Sequence, residues 1–186
     1  MAFDEKHDKV EKQVIEFLKK RNFKEASLAV AEYEAEQPNT RGLGINWKRY
    51  NPEYDIKTLK FIFDGKPKIL ARLKNENLEA ARVAAAMMAL WGANKAKKWL
   101  PVDFKTNLLF DNETTVRMLL FYAQKQASLE QYRSEGLKYV EVYPASDSCE
   151  ACKKIAGKYE ITKAPSLPYE HCTHKMGCRC TFLPVV

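Results

Sequence analysis

Residues 148–182 read SCEACKKIAGKYEITKAPSLPYEHCTHKMGCRCTF and hold all five cysteines of the chain, together with two of its three histidines. Cys149 and Cys152 are separated by two residues, so both sulfurs can lie on one tight turn. From such a turn both thiolates reach a single tetrahedral ion about 2.3 Å away, and zinc is the usual ion in this geometry. The spacing therefore predicts a structural Zn²⁺ site with Cys149 and Cys152 as one half.

The other half of the predicted site has more candidate ligands than positions. A structural zinc takes four ligands in total, and the candidates for the remaining positions are His171, Cys172, His174, Cys178 and Cys180. Spacing alone does not choose among them, and our order of preference is Cys178, then Cys172 or His171, then Cys180, with His174 last. The predicted metal-binding residues are therefore Cys149, Cys152, His171, Cys172, Cys178 and Cys180.

Three other uses of the thiols compete with structural zinc. The chain opens MAFDEKHDKV, without the apolar segment of a secretory signal, so we expect a reducing compartment in which a disulfide framework does not form. A thioredoxin-like redox centre needs a βαβ unit around C-x-x-C, and we expect none here. A catalytic zinc needs an open coordination position and often a base, for which Glu150 and Glu170 are near in sequence. The surplus of ligands favours a closed site, and we expect a protein that is not an enzyme.

The same region resembles a known family. The run NETTVRMLLFYAQKQASLEQYRSEGLKYVEVYPASDSCEACKKIAGKYEI, followed by APSLPYEHC and GCRCTFLPV, is similar to the C-terminal module of phage head-morphogenesis proteins, the Mu F-like minor capsid family. The positions that match the family pattern are Glu113, Thr114, Gly136, Asp147, Cys149, Cys152, Gly157, Leu167, Pro168, His171, Cys178, Arg179 and Cys180. The family's compact His-Pro-x-Cys-Arg-Cys is opened here by an insertion that adds one cysteine and one histidine.

The resemblance implies a zinc-stabilised structural protein of a phage or prophage, with a role in capsid assembly. Its implied partners are capsid or portal proteins and packaged DNA, and its implied location is the bacterial cytoplasm or the virion. Two alternatives stay open. One is a nucleic-acid-binding zinc module in a cellular protein, and the other is an effector or toxin-type enzyme that carries the same module.

Positive charge favours the nucleic-acid alternative. The chain has 31 Lys and Arg against 24 Asp and Glu, a formal net charge of +7, which permits a polyanionic partner. Lysines beside an aromatic ring can contact phosphates while the ring stacks on a base, although lysines at a helix end also complement the helix dipole. Arg179, between two cysteines, is expected to contact a partner or to bond backbone carbonyls of the cysteine loop. The predicted nucleic-acid-binding residues are Lys95, Lys97, Lys98, Trp99 and Arg179.

Apolar periodicity predicts an α+β fold, with a mainly helical domain over 1–110 and a helix plus a small antiparallel zinc-binding β module over 111–186. The predicted helices are a hairpin over 4–37 (4–21 and 24–37), a short helix from Tyr54 to Asp64, an Ala-rich helix over about 77–98, and a helix capped by Asp111 or Asn112 that runs to about Glu135. The predicted strands are 137–144, 158–161 and 179–184.

Three further predictions concern the rest of the chain. Arg41-Gly42-Leu43-Gly44 is interpreted as a tight turn and not as a phosphate cradle, because it lacks a following Gly-Lys-Ser/Thr. His7 is expected to be solvated. No run approaches the roughly 18 apolar residues that a membrane span needs.

Overall fold

A computed structural model describes residues 2–36, 50–106 and 108–186 of the chain. Within these ranges the α-helices are α1 Ala2–Lys19, α2 Phe23–Ala35, α3 Glu53–Asp64, α4 Asn75–Trp91, α5 Asn112–Ser134 and α6 Glu150–Lys154. The strands are β1 Tyr139–Tyr143, β2 Gly157–Glu160 and β3 Thr181–Val185. The helices are mainly N-terminal and the sheet is C-terminal, which confirms the predicted α+β class.

The N-terminal hairpin packs α1 against α2, as predicted. Val14 and Leu18 of α1 and Ala26 and Val30 of α2 are buried in the core, at the helical spacing that the sequence shows. Pro38, the predicted end of the second helix, and the glycine-containing turn at 41–44 lie outside the described residues. Among the helices that the structure describes, none is long and apolar enough to cross a bilayer.

Helix α4 is Ala-rich and central, as predicted, but it ends seven residues earlier than the predicted position 98. The reason is Gly92, which adopts a left-handed conformation (φ 60°, ψ 28°) directly after Trp91. The N–H of Ala93 then donates to the carbonyl of Met88 over 3.1 Å, which closes the helix end. The lysines at 95, 97 and 98 therefore lie beyond α4, and the interpretation that they complement its dipole is wrong.

Helix α5 joins the helical part of the chain to the sheet. It packs against α3 and α4 and also contacts β3. Its N-terminus is capped as predicted, because the Asp111 carboxylate accepts a hydrogen bond from the N–H of Thr114 over 2.6 Å. Because α5 contacts elements on both sides of residue 110, it connects the two predicted domains, and the boundary itself stays a prediction.

The sheet has the order β2-β1-β3, and both pairs are antiparallel, as predicted. Val140 and Val142 of β1 are buried while the residues between and around them are exposed, which is the alternation expected of a half-buried strand. Val142 pairs with Phe182 of β3, which is buried as well. The sheet thus covers the core with one face, and the end of β1 and the start of β3 connect to the cysteine loops.

Candidate metal centre

Each cysteine is positioned by a short element beside the sheet. Cys149 is the N-cap residue of α6, and Cys152 lies inside this helix. Cys172 lies in a turn in which its N–H donates to the carbonyl of Tyr169 over 3.1 Å. Cys178 follows a turn closed by a 2.8 Å bond from the N–H of Gly177 to the carbonyl of His174, and Cys180 immediately precedes β3. The sheet pairing therefore brings three separate loops to one place.

The five sulfurs come together in this arrangement. The Sγ atoms of Cys149 and Cys172 are 3.9 Å apart, and those of Cys152 and Cys178 are 3.8 Å apart. In a tetrahedral site with Zn–S bonds of about 2.3 Å, neighbouring sulfurs lie about 3.8 Å from each other. Two groups of three have all their sulfurs within 4.8 Å of one another: Cys149, Cys152 and Cys172 form one, and Cys152, Cys178 and Cys180 form the other. The arrangement has the dimensions of a thiolate metal site.

Cys152 belongs to both groups, so it is central to the cluster. Cys152, Cys172, Cys178 and Cys180 are buried, each with less than 5% of its surface exposed, and Cys149 is partly exposed. All five are free thiols. Five sulfurs exceed the four positions of a structural zinc by one, so one of the five thiols would remain outside such a site.

The two histidines of the region are placed differently from the cysteines. His171 is exposed, with its ring against that of Tyr169 at a centroid distance of 5.3 Å, and it belongs to none of the close ligand groups found among the described residues. His174 accepts a hydrogen bond from the N–H of Met176 at Nδ1 over 3.2 Å, and its Nε2 lies 3.7 Å from Asp147. Cys172 and His171 shared the second rank among the predicted ligands. The structure brings Cys172 to the cluster and not its neighbour His171.

Burial, hydrogen bonds and the charges of neighbouring sulfurs decide the protonation of the cluster when no cation is bound. Burial and the charge of Cys178 together raise the pKa of Cys152 to about 12. Cys149 behaves differently: burial opposes ionisation, but hydrogen bonds from the backbone N–H groups of Thr173 and Cys152 lower its pKa to about 6. Hydrogen bonds from Cys172 and Cys180 lower the pKa of Cys178. A bound divalent cation would lower the pKa of the ligating thiols, because it replaces their protons and stabilises several thiolates at once.

Helix α5 supports the loop that carries Cys178. The N–H of Cys178 donates to Met118 Sδ over 3.2 Å. Gly177 has φ +77°, and a Cβ atom at this position would lie 2.5 Å from Met118 Cε and 3.0 Å from Thr114 Cγ2. The supporting role of Met118 was not predicted from the sequence, because nothing distinguishes it from other apolar residues of α5. The glycine before Cys178 is the one signal of a close approach.

Arg179 forms an ion pair with the carboxylate of Asp147 and lies 3.5 Å from Nε2 of His174. The predicted bonds from Arg179 to backbone carbonyls are replaced by this pair. Asp147 lies two residues before Cys149, and Arg179 lies between Cys178 and Cys180, so the pair connects the chain segments that carry the first and last cysteines. With its guanidinium paired in this way, contact of Arg179 with nucleic acid stays a prediction.

Of the predicted nucleic-acid-binding residues, Lys95 lies two positions before a short 3₁₀ turn, Lys97–Trp99, that follows the end of α4. Its first N–H groups, those of Ala96 and Lys97, donate to the two carboxylate oxygens of Glu113 over 2.7 and 2.6 Å. The Lys98 ammonium lies 4.5 Å from the centroid of the Trp99 ring and also pairs with Glu11. Lys95 and Lys97 have exposed side chains. The structure thus brings three lysines and a half-buried tryptophan together, with Lys98 already engaged.

His7 is half-buried, and the expectation that it is solvated is wrong. Its ring lies 5.0 Å from that of Trp91 and 5.6 Å from that of Tyr33. The side chain is 28% exposed and lies 3.6 Å from the carboxylate of Glu11. The surrounding charged residues of α1 concealed this position, because the contacts that bury it come from α2 and α4.

The sequence matches no protein-family model, and neither curated protein sequences nor solved structures give a significant match. The interpretation of the cluster therefore depends on its own geometry.

Proposed function

We propose that residues 139–185 form a structural zinc module in which one Zn²⁺ is bound by four cysteine thiolates. The observation that carries this proposal is the pair of sulfur–sulfur distances, 3.9 and 3.8 Å, which equal the edge of a zinc tetrathiolate to within about 0.1 Å. Zinc is favoured over calcium or magnesium because thiolates are soft ligands. Iron is the competing ion for a cysteine-only site, and metal analysis distinguishes the two.

The ligand set contains Cys152 and Cys178, with two more thiolates from Cys149, Cys172 and Cys180. Cys152 is in both close groups, and its sulfur is 3.8 Å from that of Cys178. These two residues come from opposite halves of the motif, so the ion would connect α6 to the loop before β3. A fifth thiol near the ion provides an alternative ligand without changing the closed character of the site.

The test is metal analysis of the purified full chain by plasma mass spectrometry, together with circular dichroism before and after a strong chelator. The expected result is about one zinc per chain and a loss of ordered structure when the metal is removed. Protein that contains neither zinc nor iron, and whose spectrum is unchanged by the chelator, would contradict the proposal.

The biological role that we propose is structural, in phage or prophage head assembly. Support comes from the residues that carry the family resemblance, since several of them make contacts within the module or at the start of α5, which supports it. Asp147 pairs with Arg179 inside the module, Thr114 of α5 lies under Gly177, and Glu113 of α5 binds the turn at Ala96 and Lys97. The buried thiols also leave little room for a substrate, which favours a structural role over a catalytic one.

Genome neighbourhood and binding assays test the proposed role. Genes for portal, terminase and scaffold proteins beside this gene are expected, and the purified chain should bind the neighbouring portal or major capsid protein in sedimentation experiments. A neighbourhood without head genes, combined with no binding to such proteins, would argue against this role.

DNA is the second candidate partner, favoured by Lys95 and Lys97. Both side chains are exposed, and no carboxylate among the described residues pairs with them. The test is binding of labelled single- and double-stranded DNA as a function of salt, because release of counterions makes phosphate binding steeply salt-dependent. The variant Lys95→Ala/Lys97→Ala should weaken binding and reduce the salt dependence, whereas Lys163→Ala, after β2, where Lys163 pairs with Glu160 over 2.8 Å, should not.

A further inference from the structure

Lys125 of α5 is partly buried beside the candidate metal centre. Its Nζ donates to Oγ1 of Thr181 over 2.8 Å, and Thr181 directly follows Cys180. Burial lowers the pKa of Lys125. The ammonium therefore lies beside the loop that carries Cys180, and no carboxylate of the described residues is within ion-pair distance of it.

A partly buried ammonium without a counter-ion is costly, because burial removes much of its hydration. The cost is offset when an opposite charge lies close to it. A zinc ion with four thiolates carries a net charge of −2, so the proposed centre is such a charge. The hydrogen bond to the Thr181 hydroxyl holds Nζ beside the cysteine loop, so the flexible side chain of Lys125 is fixed at its charged end.

We infer that Lys125 is the counter-charge of the metal centre, placed by Thr181 to stabilise the thiolates of Cys178 and Cys180 in their metal-bound form. This inference rests on the proposed zinc site. Lys125 acts through the ligands and is a positioning residue, not a ligand itself. Partners of metal ligands in comparable positions typically contribute a factor of about 10–100 to metal affinity.

The experiment compares Lys125→Met with Lys125→Arg in the full chain, with zinc affinity measured by competition against a chromophoric chelator. Lys125→Met keeps most of the apolar stem but removes the charge, and it should weaken zinc binding by about 10–100-fold. Lys125→Arg keeps the charge and should bind zinc nearly as tightly as the wild type. Thr181→Val keeps the shape of the side chain but removes the hydroxyl, so it should weaken binding by a smaller factor.

Lys57→Met is the matched control. Lys57 is also partly exposed, but it pairs with Glu130 over 3.1 Å and lies on α3. Its loss should leave zinc affinity unchanged. A second readout is thermal unfolding of the metal-free proteins. A purely structural role through the hydrogen bond to Thr181 predicts that Lys125→Met destabilises the metal-free form. A role as counter-charge predicts no loss there, because the variant removes a partly buried cation that no carboxylate of the described residues pairs.

The outcomes separate this inference from the proposed function. If the wild type binds no metal, the zinc site itself is wrong. If the wild type binds zinc and Lys125→Met binds it equally tightly, only the role of Lys125 is wrong. Weakened binding by Lys125→Met that Lys125→Arg does not share supports the inference.

Discussion

Cys152 has a special position among the five thiols, because it is the member that both close groups share. Without Cys152, neither of the two groups of three is complete. Without Cys149, the group of Cys152, Cys178 and Cys180 is still complete. The consequences of single substitutions should therefore be unequal, even though all five residues are cysteines in one cluster.

The first prediction is that Cys152→Ser abolishes zinc binding while Cys149→Ser retains it at reduced affinity. The reason is that a fifth thiol, Cys180, is available to replace Cys149 but cannot replace the shared residue. Zinc content after gel filtration measures the outcome, and cobalt substitution, read by the thiolate charge-transfer absorption, reports the number of sulfur ligands. Equal loss of zinc in both variants would show that the ligand set is fixed and includes Cys149.

The second prediction concerns Gly177, whose backbone has φ +77° and whose missing Cβ leaves room for Met118. Gly177→Ala should lower the free energy of unfolding by about 2 kcal/mol or more, because it combines backbone strain with overpacking. Chemical denaturation of the zinc-loaded protein measures the change. Gly136→Ala is the matched control, since Gly136 has φ +80° but no atom within 4 Å of the added Cβ. Similar losses for the two variants would mean that contact with α5 contributes nothing.

At the scale of single residues, the sequence predicted that the cysteines come together better than it predicted which neighbours join them. The C-x-x-C spacing and the second group of cysteines were sufficient to predict a cluster of cysteines, and the metal that it would bind stays a prediction. The choice between Cys172 and His171 was not predictable, because adjacent residues of a loop point in different directions and only the fold decides which one turns inward. Lys125 and Met118 were missed because their positions depend on packing between α5 and the cysteine loops.

At the scale of elements, helix α5 connects the other helices to the sheet, because it contacts α3 and α4 as well as β3. Its capping residue, Asp111, and Glu113 in its first turn were both recognisable from the sequence. The end of α4 was not recognisable, because the alanine-rich pattern continues past Gly92 and the left-handed conformation of this glycine is visible only in the structure. The short helix α6 was also expected only as a turn. Elements with a strong period or a clear cap were therefore predicted well, and irregular connections were not.

The third prediction is that Asp111→Ala lowers the free energy of unfolding by about 1 kcal/mol at neutral pH, because the N–H of Thr114 loses its acceptor. The hydrogen bond from the Thr114 backbone lowers the pKa of Asp111 in the folded state. The ionised carboxylate therefore stabilises the fold above the pKa of the unfolded state, near 4, and this contribution disappears as the pH falls through the folded pKa. The difference between wild type and variant, measured by denaturation, should shrink as the pH is lowered from about 4 through the lower pKa of the folded state.

Asp111→Asn is the control for this prediction, because Asn is nearly as good a capping residue and carries no charge. It should retain most of the stability at neutral pH and show no such dependence on acid. A loss as large as that of Asp111→Ala would indicate that charge, and not the hydrogen bond to Thr114, is what matters at this position.

At the scale of the whole molecule, one apolar core runs from the helices into the sheet. Leu18 of α1, Leu119 of α5 and Phe182 of β3 all belong to the same buried cluster, which also includes Cys152 and Cys178. A three-stranded sheet of short strands is marginal alone. Here α5 covers its inner face, so the sheet depends on both the helices and the proposed metal. Within the same core the helices also pack against one another, since α1 contacts α2 and α4 and α3 contacts α4.

The fourth prediction follows from this asymmetry. Removing the metal with a strong chelator should increase hydrogen exchange most in β1, β2, β3 and α6, because the ion is what connects their loops. Exchange in α1 to α4 should rise less, since these helices bury their apolar residues against one another. Exchange measured by mass spectrometry, with peptides from both regions, gives the comparison. The Cys152→Ser protein should show the same pattern without chelator, which excludes an effect of the chelator itself. Equal loss of protection in both regions would mean that the chain unfolds as one unit, and no change in either would mean that the metal does not stabilise the sheet.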